Sequence, residues 1–98
     1  MWMGIAAFRY YLPAAVQYIR SVEADSDFVA HFSGTLAFRL KYQSLDLVPV
    51  AGQLVNLCDY VLEHWSRFED CEDAYGGIRA RFETLRQAFF QMNHDTAA

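Results

Sequence analysis

Apolar residues recur at helical spacing along most of this 98-residue chain. The strongest run has apolar positions three and four apart, which predicts a central core helix. Its members are Leu54, Leu57, Cys58, Val61, Leu62, Trp65 and Phe68. The alternation typical of β-strands is weak throughout. The pattern therefore predicts an all-α fold of four to five helices, packed as one small orthogonal or bundle-like domain over residues 1–98.

The segment Phe8 to Ile19, FRYYLPAAVQYI, places a proline between two apolar runs. Proline fixes its own φ and moves the preceding residue out of the α region. We therefore predict a short first helix, an elbow formed by Tyr11, Leu12 and Pro13, and a second helix from Pro13 to about Ala24. The aromatic side chains are expected to clamp a corner of the core, with Leu12 buried there.

Polar residues mark the start of the next helix. Asp25, Ser26 and Asp27 are N-cap residue types that directly precede an apolar run ending near Lys41. Gly34 lies in the middle of this run and suggests close helix packing or a slight bend. The apolar residues of the run are Phe28, Phe32, Leu36 and Leu40, with Val29 and Phe38 widening the face.

Residues 42–52, YQSLDLVPVAG, are predicted to form a loop, with Pro49 beginning the central helix. Gly76 and Gly77 are the favoured break before the last helix, whose apolar run extends from Ile78 to Met92. The alternative is a helix that starts near Asp73 and holds both glycines in its first turn. Residues 93–98 are predicted to be a frayed tail.

The charge of the chain is concentrated in its second half. Residues 1–49 carry four bases and four acids, whereas residues 50–98 carry four bases and eight acids, which gives the net charge of −4. This balance disfavours nucleic-acid binding, which needs clustered Lys and Arg, and it favours a basic protein partner. No transmembrane span is predicted, because Arg9, Pro13 and Gln17 interrupt the most apolar window.

Catalytic and metal-binding patterns are not recognisable. Cys58, His64 and Cys71 lack the spacing of a zinc site, and Cys58 is predicted to be a small core residue. Asp59, Glu63 and His64 are close in sequence, but they fit a solvated helix face with an ordinary Glu63–Arg67 pair. We therefore expect no enzyme activity, no metal and no cofactor. Two cysteines make no disulfide framework, and a cytoplasmic location is expected.

Two sets of residues are candidates for binding. Four acids in five residues, at 69, 70, 72 and 73, repel one another, and a basic partner would relieve that repulsion. A solvated helix end, or neutralisation by Arg79 and Arg81, is the alternative. Tyrosine joins apolar area to a polar tip, which suits interfaces. The tyrosines are Tyr10, Tyr11, Tyr18, Tyr42, Tyr60 and Tyr75. The predicted partner-binding residues are Asp59, Glu63, Glu69, Asp70, Glu72, Asp73 and Tyr75.

The stretch FRYYLPA, Phe8 to Ala14, resembles a segment shared by a family of small uncharacterised bacterial proteins, which carry an FxYYLPA-like sequence. Such proteins are associated with the immunity proteins of bacterial toxin systems. The resemblance implies a helical, noncatalytic protein and supplies no catalytic motif to carry over. The motif lies close to the start of this chain, which leaves open whether an N-terminal portion of the family's core precedes it.

The leading hypothesis is a noncatalytic protein-binding module, similar to an immunity protein, that neutralises a basic toxin or effector through an acidic surface. The alternative is a self-associating structural or regulatory domain that buries its aromatic residues in a homodimer. An enzyme ranks third, and it would require a pocket that joins Asp59, Glu63 or His64 to a second polar group.

Overall fold

The computed structural model describes residues 5–70 and 76–97, and the side chains of residues 6–70 and 76–94. This part of the chain consists of helices and turns, and no strand occurs in it. The predicted all-α fold is therefore confirmed. The helices are α1 (Ile5–Arg20), α2 (Ser26–Tyr42), the single turn α3 (Ser44–Leu47), α4 (Ala51–Glu63) and α5 (Ile78–Ala97). Two 3-10 turns, Val48–Val50 and Trp65–Arg67, lie before and after α4.

Helix α1 runs through Pro13 without a break, so the predicted elbow is wrong. The four residues of its inner face are at most 1% exposed, and they are Phe8, Leu12, Ala15 and Ile19. Their spacing of four, three and four residues puts them in one line on a single helix. A break at Leu12 would take Ala15 and Ile19 off that line. Burial of a large apolar side chain contributes about 1.5–3 kcal/mol, and several such burials outweigh the roughly 3 kcal/mol that an internal proline costs.

Helix α2 begins where the cap residues predict. Asp25 has an extended backbone, and its carboxylate accepts a hydrogen bond from the Phe28 N–H at 2.7 Å. This bond satisfies one of the backbone donors that a helix leaves free at its start. Gly34 does not mark a tight contact, because a Cβ there would lie 3.8 Å from an Arg81 guanidinium nitrogen. Phe38, predicted on the inner face, is exposed instead.

The segment predicted as a loop is almost entirely helical. Only Gln43 interrupts it, between α2 and the short α3. Pro49 lies in the first turn of the 3-10 segment, where the missing proline N–H has no helical partner to lose. Leu47 and Val50 are buried and hold this segment against the core. Helix α4 therefore begins at Ala51, two residues after the predicted start.

Helices α4 and α5 form the most extensive helix pair of the described residues. The two helices meet through fully or almost fully buried side chains, among them Leu54, Leu57, Val61, Phe82, Leu85 and Phe89. Gly52 faces the Asn93 side chain of α5, and a Cβ there would lie 3.5 Å from it, which is an ordinary van der Waals contact.

Gly76 and Gly77 precede α5 with φ of 75° and 72°, a left-handed conformation that favours glycine. The predicted break at the glycines is confirmed. Helix α5 extends to Ala97, past the predicted end of the helix near Met92.

One stretch of the described residues, Ser44–Glu63, is long and apolar enough to cross a membrane, with a mean hydropathy of 1.3. It combines α3, the first 3-10 turn and α4. A core helix passes the same test of length and composition, and α4 supplies much of the core here.

Leu12→Asp is expected to unfold the domain. Leu12 is fully buried, and an aspartate there would either remain an unpaired buried charge or expose the whole inner face of α1. We expect a loss of about 4 kcal/mol or more in the free energy of unfolding, which thermal and urea unfolding followed by circular dichroism would measure. An unchanged melting temperature would contradict the burial of the inner face of α1.

Pro13→Ala is expected to stabilise the protein. Pro13 is exposed, and alanine would supply an N–H to the Arg9 carbonyl four residues earlier. We expect a gain of roughly 1–3 kcal/mol in the free energy of unfolding, measured by urea denaturation. Pro49→Ala is the matched control, because no helical hydrogen bond is recovered there. Equal effects of the two substitutions would show that Pro13 does not strain α1.

Candidate functional site

A shallow polar depression of about 310 Å³ lies where the end of α1 meets α4. Its lining residues are Arg20, Asn56, Asp59, Tyr60 and Glu63. Asp59 and Glu63 lie four residues apart on α4, so both carboxylates point to the same side of the helix. The depression is the pocket that the enzyme hypothesis required, since it joins Asp59 and Glu63 to further polar groups.

Tyr60 is the centre of this region. The Arg20 guanidinium lies 5.3 Å from the centre of the Tyr60 ring, and the His64 ring stacks on it at 4.2 Å. Arg67 donates to the Tyr60 hydroxyl and to the Ser21 carbonyl. Arg67 thus ties the turn after α1 to the 3-10 turn after α4. The expected Glu63–Arg67 surface pair is therefore not the contact that positions Arg67.

Asp59 is paired with Arg86 of α5. The Arg86 Nε donates to the Asp59 carboxylate at 2.7 Å, and both side chains are 38% exposed. An ion pair that is this exposed is screened by water and contributes at most about 1 kcal/mol. Asp59 and Glu63 share their surface with Arg20, Arg67 and Arg86, so this is a surface of mixed charge rather than an acidic one.

The acidic cluster of the sequence lies beyond this region. Glu69 and Asp70 are exposed, while Glu72, Asp73 and Tyr75 lie outside the described residues. Arg81 donates to the Ser33 hydroxyl of α2 at 3.1 Å, and Arg79 pairs with Glu83 at 3.6 Å.

Cys58 belongs to the core, as predicted. It is fully buried, and burial together with the neighbouring Asp59 carboxylate raises the pKa of its thiol to about 12, against a smaller opposing effect of Arg86. A thiol with this pKa is almost entirely protonated near pH 7, and a protonated thiol is a poor nucleophile and metal ligand. Residues 5–70 and 76–97 bring no three His, Cys, Asp or Glu side chains together in a metal-binding arrangement.

Four aromatic side chains reach solvent on α1 and α2, and we call them the aromatic face. Tyr10 is 90% exposed, Tyr42 62%, Phe38 42% and Tyr11 37%. Phe38 and Tyr42 pack together, with ring centres 4.8 Å apart. Of the other tyrosines proposed for an interface, Tyr18 and Tyr60 are half-buried.

Two members of the aromatic face, Tyr11 and Tyr42, lie near the contact between α1 and α2. Tyr18 contacts Phe28 at 4.9 Å, and Tyr11 lies seven residues before Tyr18, on the same side of α1. The Arg39 guanidinium lies 4.8 Å from the Phe8 ring, and Tyr42 follows Arg39 by one helical turn. Tyr11 of α1 and Tyr42 of α2 therefore both lie beside the α1–α2 contact.

The four rings of the aromatic face expose a substantial aromatic area. A whole aromatic side chain contributes about 150–250 Å² of surface, so the observed exposures, summed over the four rings, leave roughly 350–580 Å² of aromatic surface in water. On α1 the face is extended by exposed uncharged residues, which are Ala6, Ala7, Pro13, Ala14 and Gln17.

A second concavity lies between α2 and α5. It measures about 410 Å³ and is lined by Ala37, Leu40, Lys41, Ala80, Arg81, Thr84 and Leu85. This groove is mostly apolar, but no aromatic side chain lines it. It therefore lacks the large anchors that dominate binding energy at protein interfaces.

The raised pKa of Cys58 predicts a pH-dependent stability. The thiol of the unfolded chain ionises near the ordinary value of 9.0, whereas the folded thiol ionises near 12. The stabilising contribution is therefore complete below about pH 9 and is lost as the pH rises toward 12, at about 1.4 kcal/mol per pH unit. Urea unfolding of the native chain and of Cys58→Ala between pH 8 and about 11 would measure it. Parallel pH profiles of the two proteins would contradict the raised pKa.

The chain matches no model of a known protein family, no curated protein and no solved structure in the comparisons made.

Proposed function

We propose that this chain is a noncatalytic protein-binding module, and that it binds through the aromatic face. The observation that carries the proposal is the position of Tyr10, which is 90% exposed on a helix whose opposite side is fully buried. A tyrosine side chain has few rotatable bonds, so its ring loses little conformational freedom on binding. Such rings supply most of the energy at protein interfaces, where tyrosine is enriched among the residues that contribute most.

The chemistry of the polar depression supports a noncatalytic function. One oxygen of Asp59 is engaged by Arg86 at 2.7 Å, and the only thiol near it, among the described residues, is the buried Cys58. A general base has to reach the proton it removes, and a nucleophile has to be both ionised and accessible. The network around Tyr60 is better explained as a structural tie between α1, α4 and the 3-10 turn after α4.

A basic toxin or effector is the second candidate partner, bound in the manner of an immunity protein. The exposure of Glu69 and Asp70 favours it, because two adjacent solvated acids attract a basic surface over a distance of about 8–10 Å at ordinary salt. A cytoplasmic location belongs to this proposal and is supported by the free thiol of Cys58.

Two variants separate these binding modes. The first, Tyr10→Ser with Tyr42→Ser, removes most of the exposed aromatic area and adds no charge. The second reverses the acidic cluster, with lysine at positions 69, 70, 72 and 73. Phe90→Ser is the matched control, because Phe90 is also an exposed aromatic residue, at 46%, but lies on α5.

Capture from a bacterial lysate with each protein as bait, followed by mass spectrometry, tests the proposal. We expect a partner that the native chain and Phe90→Ser retain and that the double serine variant loses by tenfold or more, which corresponds to about 1.4 kcal/mol. If the lysine variant alone loses the partner, the binding surface is the acidic cluster. A partner retained equally by every bait would overturn both binding modes.

A further inference from the structure

We propose that the groove between α2 and α5 binds a single-chain amphiphile, a molecule with an alkyl chain and a carboxylate at one end. The inference goes beyond the proposed function, because none of the residues that line the groove belongs to the aromatic face. The volume of the groove, about 410 Å³, lies within the range of small-molecule sites, which is about 300–1,000 Å³.

Apolar side chains supply the surface for an alkyl chain. Leu85 is 2% exposed, and Leu40 is half-buried against the core. Ala37 and Ala80 add small apolar side chains from the two helices, and Thr84 is the one uncharged polar residue of the lining. An alkyl chain that lies across these residues removes apolar surface of both molecules from water, which favours binding.

The charge of the groove favours an anionic ligand. Lys41 and Arg81 are lining residues, whereas no acid is among them. Neither cation forms an ion pair with an acid of the described residues, and Glu83, two residues after Arg81, pairs with Arg79 instead. The whole chain has 12 acids and eight bases, yet this groove is locally positive. It therefore complements a ligand that joins one anionic group to an apolar body.

Arg81 is the residue that we assign to the carboxylate. Its Nη1 donates to the Ser33 hydroxyl at 3.1 Å, and Ser33 is fully buried and donates to the Ala30 carbonyl at 2.6 Å. These bonds fix the guanidinium at the contact between α2 and α5. A guanidinium has five N–H donors, and the bond to Ser33 uses one of them. The other donors can bind both oxygens of a carboxylate side by side.

The direction of the alkyl chain follows from the position of Arg81. The Arg81 guanidinium lies at the level of Ser33, and Lys41 follows Ser33 by eight residues, or about 12 Å along α2. Ala37 and Leu40 lie between these two levels. A chain that starts at Arg81 therefore extends over Ala37 and Leu40 toward Lys41, whose methylene stem can cover its far end.

An amide NMR titration with sodium dodecanoate tests the site. We expect the largest shifts at Leu40, Ala80 and Thr84, and small shifts at Tyr10 and Phe90. A ligand of about 14 non-hydrogen atoms with an ordinary binding energy per atom gives a Kd of about 1 mM or tighter. The affinity should rise roughly twofold to fourfold with each methylene from octanoate to dodecanoate, because each methylene buries further apolar surface.

Three variants test the assigned residues. Arg81→Gln should weaken dodecanoate binding about tenfold or more, although the glutamine amide can still donate to Ser33. Ala80→Glu places a like charge in the groove at an exposed position and should also weaken binding tenfold or more. Arg79→Gln is the matched control, since it removes a neighbouring charge of α5 that does not line the groove, and it should bind as the native chain does. Thermal unfolding of each variant checks that the fold is kept.

The contrary outcomes are distinct. Equal binding by the native chain, Arg81→Gln and Ala80→Glu would overturn the proposal. Binding that is lost in Tyr10→Ser with Tyr42→Ser but kept in Arg81→Gln would show that dodecanoate uses the aromatic face, and would overturn it too. Cosedimentation with phosphatidylglycerol vesicles separates a free amphiphile from a membrane surface. Vesicle binding that depends on Arg81, without any shift caused by dodecanoate, would overturn the groove as a site for a single-chain ligand.

Discussion

The packing of α4 against α5 is the contact on which the other elements depend. Phe82 and Phe89 of α5 are fully buried, as are Leu54 and Val61 of α4. Each such side chain contributes about 1.5–3 kcal/mol on burial. Gly76 and Gly77 take a left-handed backbone directly before α5, which begins at Ile78. The paired helices present a fixed apolar surface. Each of α1 and α2 can cover that surface with only one of its own faces.

That constraint explains both the continuity of α1 and its exposed aromatic face. The inner line of α1 meets the core only as one unbroken helix, so the fold tolerates Pro13 at its solvent side. The outer side of α1, which carries Tyr10, then packs against no other described element. A chain of 98 residues buries only about 60–70% of its unfolded surface, and a sequence that is 16% aromatic cannot place every ring inside. Tyr10 and Tyr42 are the most exposed rings of the described residues.

Much of the fold could be predicted from the sequence because several helix boundaries depend on local chemistry. The carboxylate of Asp25 caps α2, and the paired glycines need a left-handed backbone, so both boundaries follow from nearby residues. Pro13 was misleading because its local preference is overridden by burial of the inner face of α1, which depends on residues distant in sequence. The segment around Pro49 was wrongly predicted as a loop for a similar reason, since buried Leu47 and Val50 hold it helical.

The candidate site was less predictable, because it depends on which helices meet. The sequence placed Phe38 inward and Arg67 beside Glu63, and both assignments used the periodicity of one helix alone. The structure instead directs Arg67 to Tyr60 and Ser21, the latter 46 residues away in sequence. The tyrosines were identified as interface candidates, but no pattern could separate Tyr10 from the half-buried Tyr18, which contacts Phe28 of α2.

The positions of the charges give the two candidate binding modes different physical signatures. Arg20, Arg67 and Arg86 lie near Asp59 and Glu63. The polar depression is therefore not acidic, although the second half of the chain carries the net negative charge. Of the described residues, the exposed acids of the predicted cluster are Glu69 and Asp70. Attraction through such a cluster weakens with salt, whereas burial of an uncharged aromatic face does not. Because salt weakens only the mode that uses the acidic cluster, the salt dependence of association identifies the surface in use before any partner is named.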